Sequence, residues 1–328
     1  MKLIGCLGRR GKGASFAPRL DIKIMQKYKN LVLPIAIVVG LLFHGSAAYL
    51  KPVVPSLIFS MLLLSFSSIN IKNLKVSFLD IWLLLFQLVV SLGCYLLLRP
   101  FNEIVAEGVL VGVLCPVAGA MVIISCMLGA NRERVTTYTL IGNLGIAFVA
   151  PLYFSFIGTH VTMPFGESVL LILSKVTPII VLPLFVTMLF QSFLPKTNNF
   201  FIKHQGFSFY LWACTLTITL GQTIDFVFLN GKGNGLVILW LVMASVILCI
   251  VQFGFGKFIG KKYGDAIAGG QSLGQKNTAM GIWMAYTYLH PLTSIYPAAY
   301  SICQNLYNSY QIWQYNKKGN PSKFKNAA

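Results

Sequence analysis

The stretch Gly270–Ala279, "GQSLGQKNTA", places a lysine, Lys276, inside a long apolar region of the chain. An apolar run of about 20 residues crosses the ~30 Å hydrocarbon core of a bilayer as a helix. A lysine at the centre of such a span costs about 3 kcal/mol on insertion scales. The glycines and small polar residues around it are poor helix formers. The stretch therefore predicts a broken helix that carries a buried charge at membrane depth.

The composition of the whole chain is that of a membrane protein. Of the 328 residues, 56% are hydrophobic and only 10% are charged, and the mean hydropathy is +0.73. Soluble domains carry roughly 25% charged residues, so this chain lacks the polar surface to cover itself in water. The pattern predicts an all-α fold of ten transmembrane helices, at 30–49, 53–71, 79–98, 104–129, 135–157, 167–192, 207–229, 234–256, 262–288 and 292–314.

The formal charge of +18 is distributed unevenly between the two sides of the predicted bundle. Twenty-one of the 26 Lys and Arg residues fall in the N-terminal segment 1–29, the C-terminal tail 315–328 and the alternate loops on their side. This positive-inside asymmetry predicts a multi-pass protein of the cell (inner) membrane with both termini cytoplasmic. The basic residues do not form a binding face, so the partner we expect is the lipid bilayer and not nucleic acid.

The ten predicted spans divide into two halves, 30–157 and 167–314, and the fourth span of each half is disrupted. In the first half, Pro116 interrupts an apolar run, and proline breaks or kinks a helix. In the second half, the glycines and polar residues around Lys276 do the same. An odd number of spans per half inverts the second half, and interrupted helices at matching positions are typical of secondary transporters.

The sequence offers little for catalysis or for a cofactor. Of seven cysteines, all but Cys6 fall in predicted spans, which argues against a disulfide framework, and no Cys or His spacing matches a metal site. An intramembrane enzyme needs paired acids, a Ser/His set or a metal cluster within the bilayer. The spans contain none of these sets, so we expect no enzymatic activity, no metal centre and no cofactor.

Four segments resemble one family of carriers. These are "VLCPVAG" (113–119), "SLGQKNTAMGIWMA" (272–285), "FQLVVSLGCYLL" (86–97) and "YPAAYSICQNLYNS" (296–309). They are similar to the two crossover segments, the third helix and the last helix of the bile acid:sodium symporter family. Its members are ten-helix carriers of organic anions, and the resemblance covers about residues 25–314.

The resemblance implies a core domain that carries two broken, crossing helices (the fourth and ninth) and a panel domain, with substrate admitted between them alternately from each side. It implies a substrate-binding region at Pro116, Val117, Ala118, Gly119, Lys276, Asn277, Gln304 and Asn305. It also implies an ion-coupling region at Gln87, Thr136, Thr139, Ser272, Gly274, Gln275 and Lys276.

The chain departs from the family pattern where the family binds sodium. The family's Ser-Asn pair falls on Met121 and Val122, its sodium-binding Glu on Ser272, and a nearby Gln on Lys276. Sodium prefers oxygen ligands, anionic ones above all, and a cation next to another cation is repelled. We therefore expect Lys276 to stand in for the ion and to favour an anionic substrate. Alternatively, desolvation lets the lysine release a proton in each cycle, which would make the carrier proton-coupled.

Three other functions fit parts of the pattern. An arsenite-type exporter would use Cys115 as a soft ligand. A sodium-coupled symporter would need rearranged ion sites. A non-transporting membrane sensor could keep the same fold with altered sites.

Overall fold

The computed structural model describes residues 35, 38–67, 69, 74–118, 121–157, 164–230 and 232–317, and this part of the chain is helical with one isolated β-bridge. Two short 3-10 turns, Ala48–Val53 and Pro291–Ser294, accompany the α-helices. The helices are α1 His44–Ala47, α2 Val54–Ser67, α3 Phe78–Leu98, α4 Glu103–Leu114, α5 Met121–Met127, α6 Arg132–Ile157, α7 Phe165–Phe193, α8 Pro195–Lys203, α9 Phe207–Asn230, α10 Gly235–Lys262, α11 Ala266–Gly274, α12 Thr278–Tyr288 and α13 Ile295–Lys317.

Six helical segments in the described part of the chain are long and apolar enough to cross a membrane. They are Tyr49–Ser67, Phe78–Leu98, Arg132–Ile157, Phe165–Phe193, Tyr210–Leu229 and Gly235–Lys262. The prediction of a helical, multi-pass membrane protein is therefore confirmed at this level.

The remaining four predicted spans differ from those six for separate reasons. Most of 30–49, like the segment 1–29 and most of the tail 315–328, lies outside the described residues. The predicted spans 104–129 and 262–288 are each divided into two shorter helices. The last, 292–314, matches α13, which is 23 residues long but rich in Tyr, Asn and Gln. The number of ten spans stays a prediction.

Side chains at the ends of three helices satisfy the backbone N–H groups that a helix leaves free. The Asp80 carboxylate accepts a hydrogen bond from the Ser77 N–H (2.8 Å) at the start of α3. The Asn102 amide oxygen accepts from the Val105 N–H (2.9 Å) in α4, and the Asp265 carboxylate from the Ala268 N–H (2.8 Å) in α11. Asp80 and Asp265 thus lie at helix N-termini, where the helix dipole favours a negative charge.

The helices pack in two groups. The panel group consists of α1, α2, α7, α8 and α9, and the core group of α3 to α6 and α10 to α13. The groups contact each other mainly where α6 passes to α7 and where α9 lies against α12. A buried apolar cluster with Ile58 of α2, Phe154 of α6 and Met284 of α12 lies between them. Both disrupted segments belong to the core group.

Glycines let α10 and α11 approach each other closely. A Cβ added at Gly256 of α10 would overlap the Gly269 carbonyl of α11, and one added at Gly269 would overlap the Gly256 carbonyl. A Cβ at Gly274 would overlap the ring of Phe253. Only residues without a side chain allow this contact, and it holds the half-helix that leads to Lys276 against its neighbour.

We expect Gly256→Ala to destabilise the protein by about 1–3 kcal/mol, because the new methyl group must displace the backbone of α11. The matched control is Gly254→Ala on the same helix, where an added Cβ meets nothing within 4 Å. That control should be neutral, or stabilising by up to about 1 kcal/mol, because alanine is the better helix former. Thermal unfolding of the purified variants in detergent measures both, and equal midpoints for the two variants would contradict the close contact.

Candidate functional site

The two helix breaks meet each other in the core group. Cys115 follows the last residue of α4 and Gln275 follows the last residue of α11, and both have left the helical conformation. Between the two breaks, Val117 and Lys276 form an antiparallel β-bridge. Two backbone hydrogen bonds flank this pair, from the Asn277 N–H to the Pro116 carbonyl (2.7 Å) and from the Ala118 N–H to the Gln275 carbonyl (3.2 Å). The predicted interruption of both helices is therefore confirmed for the described residues.

In the first break, Gln87 of α3 donates hydrogen bonds to two carbonyls that a continuous helix would have paired internally. Its amide nitrogen donates to the carbonyls of Leu114 (3.0 Å) and Cys115 (2.9 Å). Its amide oxygen accepts from the hydroxyl of Tyr138 in α6 (2.9 Å). Gln87 is fully buried. An unpaired backbone carbonyl in a bilayer costs several kcal/mol. Gln87 therefore stabilises the end of α4 by pairing the two carbonyls that the break leaves free.

Each residue of the β-bridge is bonded by an amide side chain from the next long helix after the broken span, α6 in the first half and α13 in the second. The Val117 N–H donates to the Asn143 amide oxygen (2.8 Å), 26 residues further along the chain. The Lys276 N–H donates to the Gln304 amide oxygen (2.8 Å), 28 residues further along. The Gln304 nitrogen also donates to the Lys276 carbonyl (3.0 Å). In both halves of the chain, therefore, an amide side chain bonds the backbone of the break, and the bonded residues are separated by nearly the same number of positions.

Tyrosines add a second matching pair. Tyr138, five residues before Asn143, bonds Gln87 and through it the end of α4. Tyr300, four residues before Gln304, donates directly to the Gly274 carbonyl (2.8 Å) at the end of α11. Sequence reasoning missed Tyr138, Asn143 and Tyr300. The sequence does show amide and phenol side chains in the span after each break. Only the fold shows which carbonyl or N–H group each of them bonds.

Lys276 is buried and its amine is not paired. Its side chain is 1% exposed, and Nζ has no hydrogen-bond partner among the described residues. The ion pairs of the described side chains are His44–Asp225 and Arg99–Glu103, and neither includes Lys276. The titratable group that acts on it electrostatically is the Cys115 thiol. An isolated charge in a low dielectric is unstable without a partner, so this position is a strong candidate for function.

Two further unpaired donors follow Lys276 at the start of α12. The Asn277 amide nitrogen and the Thr278 hydroxyl have no partner in the described part of the chain. Their side chains are 2% and 1% exposed. The Asn277 amide oxygen is engaged as the cap of α12, accepting from the Met280 N–H (3.3 Å). Three consecutive residues therefore present donor groups at a helix N-terminus, which favours an acceptor-rich anion.

The other predicted site residues lie in different settings. Asn305 is only partly buried and donates to the Ser301 carbonyl of its own helix (2.7 Å). Thr139 donates to the Val135 carbonyl (2.7 Å), and Thr136 and Ser272 are buried. Gly119 lies outside the described residues. The fold thus brings Gln87, Pro116, Val117, Ala118, Gln275, Lys276, Asn277 and Gln304 together around the bridge.

Some of the oxygens at the expected sodium positions already accept hydrogen bonds. The Gln87 amide oxygen accepts from Tyr138 and the Gly274 carbonyl from Tyr300, whereas the Gln275 amide oxygen has no partner among the described residues. Sodium needs several free oxygen ligands, preferably with a carboxylate. Among the described side chains, no group of three or more His, Cys, Asp or Glu could hold a metal ion.

Comparison with known proteins adds no family assignment. No protein-family model matches the chain, and no curated protein matches it either. The resemblance to the bile acid:sodium symporter family therefore stays a prediction that depends on the motifs and the geometry described above.

We expect Gln304→Leu to destabilise the protein by about 1–3 kcal/mol for each of the two Lys276 backbone groups that it leaves unpaired. Asn305→Leu is the matched control, because Asn305 bonds only the backbone of its own helix. Thermal unfolding in detergent should separate the two variants clearly. If Asn305→Leu lowered the midpoint as much as Gln304→Leu, the amide would not be holding the break.

Proposed function

We propose that the protein is a secondary active transporter that moves a small organic anion across the membrane by alternating access. In this proposal the chain has ten spans in two inverted five-helix halves, and both termini are cytoplasmic. The Lys276 ammonium supplies the positive charge that a bound sodium ion supplies in sodium-coupled carriers. The single observation that carries the proposal is the buried, unpaired Lys276 amine at the meeting point of two helix breaks.

The repeated hydrogen-bonding device supports the inverted halves. Asn143 of α6 and Gln304 of α13 each bond the N–H of a bridge residue from the helix after the broken span. Broken helices at corresponding positions of two halves are typical of carriers whose substrate binds at mid-membrane. Two unrelated helix kinks would not be expected to contact each other, or to be hydrogen-bonded by residues at corresponding positions of the two halves.

The donor set supports an anion as the substrate. Lys276, Asn277 and Thr278 present an ammonium, an amide N–H and a hydroxyl, and none of these groups is paired among the described residues. A carboxylate has only acceptor atoms and takes several hydrogen bonds at once. It would neutralise the ammonium and satisfy its neighbours in the same step. Because these side chains are buried, we expect the panel group to move away before the anion enters.

The contact between the two helix groups is suited to such a movement. It consists largely of apolar side chains, including Leu216 and Leu220 of α9 against Ile282 of α12. One hydroxyl pair, Thr223 with Ser294 (3.1 Å), joins α9 to the 3-10 turn before α13. Apolar contacts are non-directional, so they can be exchanged as one group shifts along the other.

Uptake by reconstituted proteoliposomes tests the proposal. We expect accumulation of one or more small carboxylates from a panel, at equal rates with and without sodium. Lys276→Gln should abolish uptake or make it sodium-dependent, because the charge is then missing. Lys175→Gln is the matched control, since Lys175 is exposed on the outside of α7. Sodium-dependent accumulation by the wild-type protein, or a Lys276→Gln variant equal to wild type, would refute the role of Lys276.

Cys115→Ser separates this function from that of an arsenite-type exporter. The Cys115 thiol donates to the Asn277 carbonyl (2.9 Å) and is fully buried. A serine hydroxyl can make the same hydrogen bond, so we expect carboxylate uptake to stay within about threefold of wild type, a change of less than 1 kcal/mol. Loss of all transport together with loss of arsenite binding would favour the exporter instead.

A further inference from the structure

A row of buried polar side chains leads away from Lys276 along α13. Gln304, Asn308 and Gln311 follow one another at intervals of four and three residues, which places them on one face of the helix. Their side chains are 4%, 3% and 9% exposed. We call these three residues, together with Gln271 of α11, the amide row. A buried polar face is costly unless its groups are hydrogen-bonded, so its presence here requires an explanation.

Contacts fix the direction of the amide row. Gln304 bonds the Lys276 backbone, and one turn further on the Asn308 amide oxygen accepts from the Gln271 nitrogen (3.0 Å). Because α11 enters the break at its C-terminal end, α13 runs from the break back toward the start of α11. That start follows Lys261 and Lys262 closely, on the side that the charge asymmetry predicts to be cytoplasmic. The row therefore connects the break to this end of the bundle.

The amide row has spare donors and acceptors. The Gln271 oxygen and the nitrogens of Asn308 and Gln311 have no partner among the described residues, and neither does the oxygen of Gln275, which lies next to Lys276. A buried water typically makes two to four hydrogen bonds to such groups. Donors and acceptors of this kind, placed along about 10 Å of helix between Gln304 and Gln311, suit a line of water molecules. Water is the ligand that this arrangement takes.

We propose that the amide row is the route by which a proton reaches and leaves the Lys276 amine from the cytoplasmic end of the bundle. In one direction the ammonium gives a proton to the adjacent water and becomes a neutral amine. In the other direction a hydronium ion in the row returns the proton and restores the ammonium. The inference rests on the proposed function for its purpose, since it makes the anion carrier proton-coupled.

The charged and titratable groups around the route are compatible with this role. Cys115 lies close to Lys276, and the Tyr300 hydroxyl donates to the carbonyl of Gly274, two residues before Lys276. Beside Asn308, the Lys257 amine donates to the Tyr307 hydroxyl (2.9 Å) and lies over its ring. None of these groups is a carboxylate that would retain the proton, so among the described residues Lys276 is the base at the end of the row.

Reductive methylation of the full-length protein in nanodiscs tests the route without requiring transport. Formaldehyde with cyanoborohydride modifies only a neutral amine that small molecules can reach, and mass spectrometry measures the rate at Lys276. We expect wild-type Lys276 to be methylated faster as the pH rises. Gln311→Leu and Asn308→Leu should each slow this by about tenfold, because an apolar side chain does not hold water in the row.

Gln314→Leu is the matched control, since Gln314 lies beyond the buried end of the row, at an exposed contact where its nitrogen already bonds the Tyr310 hydroxyl. Its methylation rate at Lys276 should equal that of wild type. In the wild-type protein the Gln311 nitrogen has no partner among the described residues, so Gln311→Leu loses no hydrogen bond there. We therefore expect this variant to fold normally, which thermal unfolding checks. If a normally folded Gln311→Leu protein were methylated at the wild-type rate, the route would be overturned.

The same measurements distinguish this inference from the proposed function. If the wild-type protein carries no organic anion but the row variants slow methylation, the route stands and the transport proposal fails. If anion uptake is observed but methylation is unaffected by both row variants, the transport proposal stands and the route is wrong.

Discussion

The central constraint on this structure is that open backbone in a low dielectric must find hydrogen-bond partners. Two helices of the core group are interrupted, and each interruption frees carbonyl and N–H groups in the buried interior of the protein. The breaks satisfy part of this need by bonding each other across the Val117–Lys276 bridge. The rest is satisfied by Gln87, Asn143 and Gln304 from three surrounding helices. Removing any of these amides would leave a buried polar group without a partner.

This constraint gives some polar residues in the spans a structural role. Gln87 and Gln304 resemble residues that surround ion and substrate sites in a family of carriers, yet their amides are committed to the backbone of the breaks. At the start of α12, by contrast, Lys276, Asn277 and Thr278 each have a side-chain group without a partner in the described chain. The structure thus distinguishes amides that are bonded to the breaks from side chains that are available to a ligand in the proposed carrier.

The charge of Lys276 gives the site its chemical character. A mobile sodium ion can enter and leave with the substrate, whereas a lysine stays and changes its charge only by exchanging a proton. In the proposed carrier, anions would therefore be selected by a permanent part of the chain. The amide row would then set from which side the proton is exchanged, which links the direction of coupling to the packing of α11 against α13.

The sequence by itself determined the membrane class, the position of both helix breaks and the unusual burial of Lys276. These follow from local properties, namely apolar run length, proline and glycine chemistry and the rarity of charge at mid-span. It could not determine that the breaks bond each other, or that Asn143, Tyr138 and Tyr300 support them, because those contacts join residues up to about 160 positions apart. Nor could it show that Asn305 bonds the backbone of its own helix, whereas Gln304, one residue earlier, bonds the backbone of Lys276. Only the tertiary structure decides which face of a helix meets which backbone group, since neighbouring helical positions point about 100° apart.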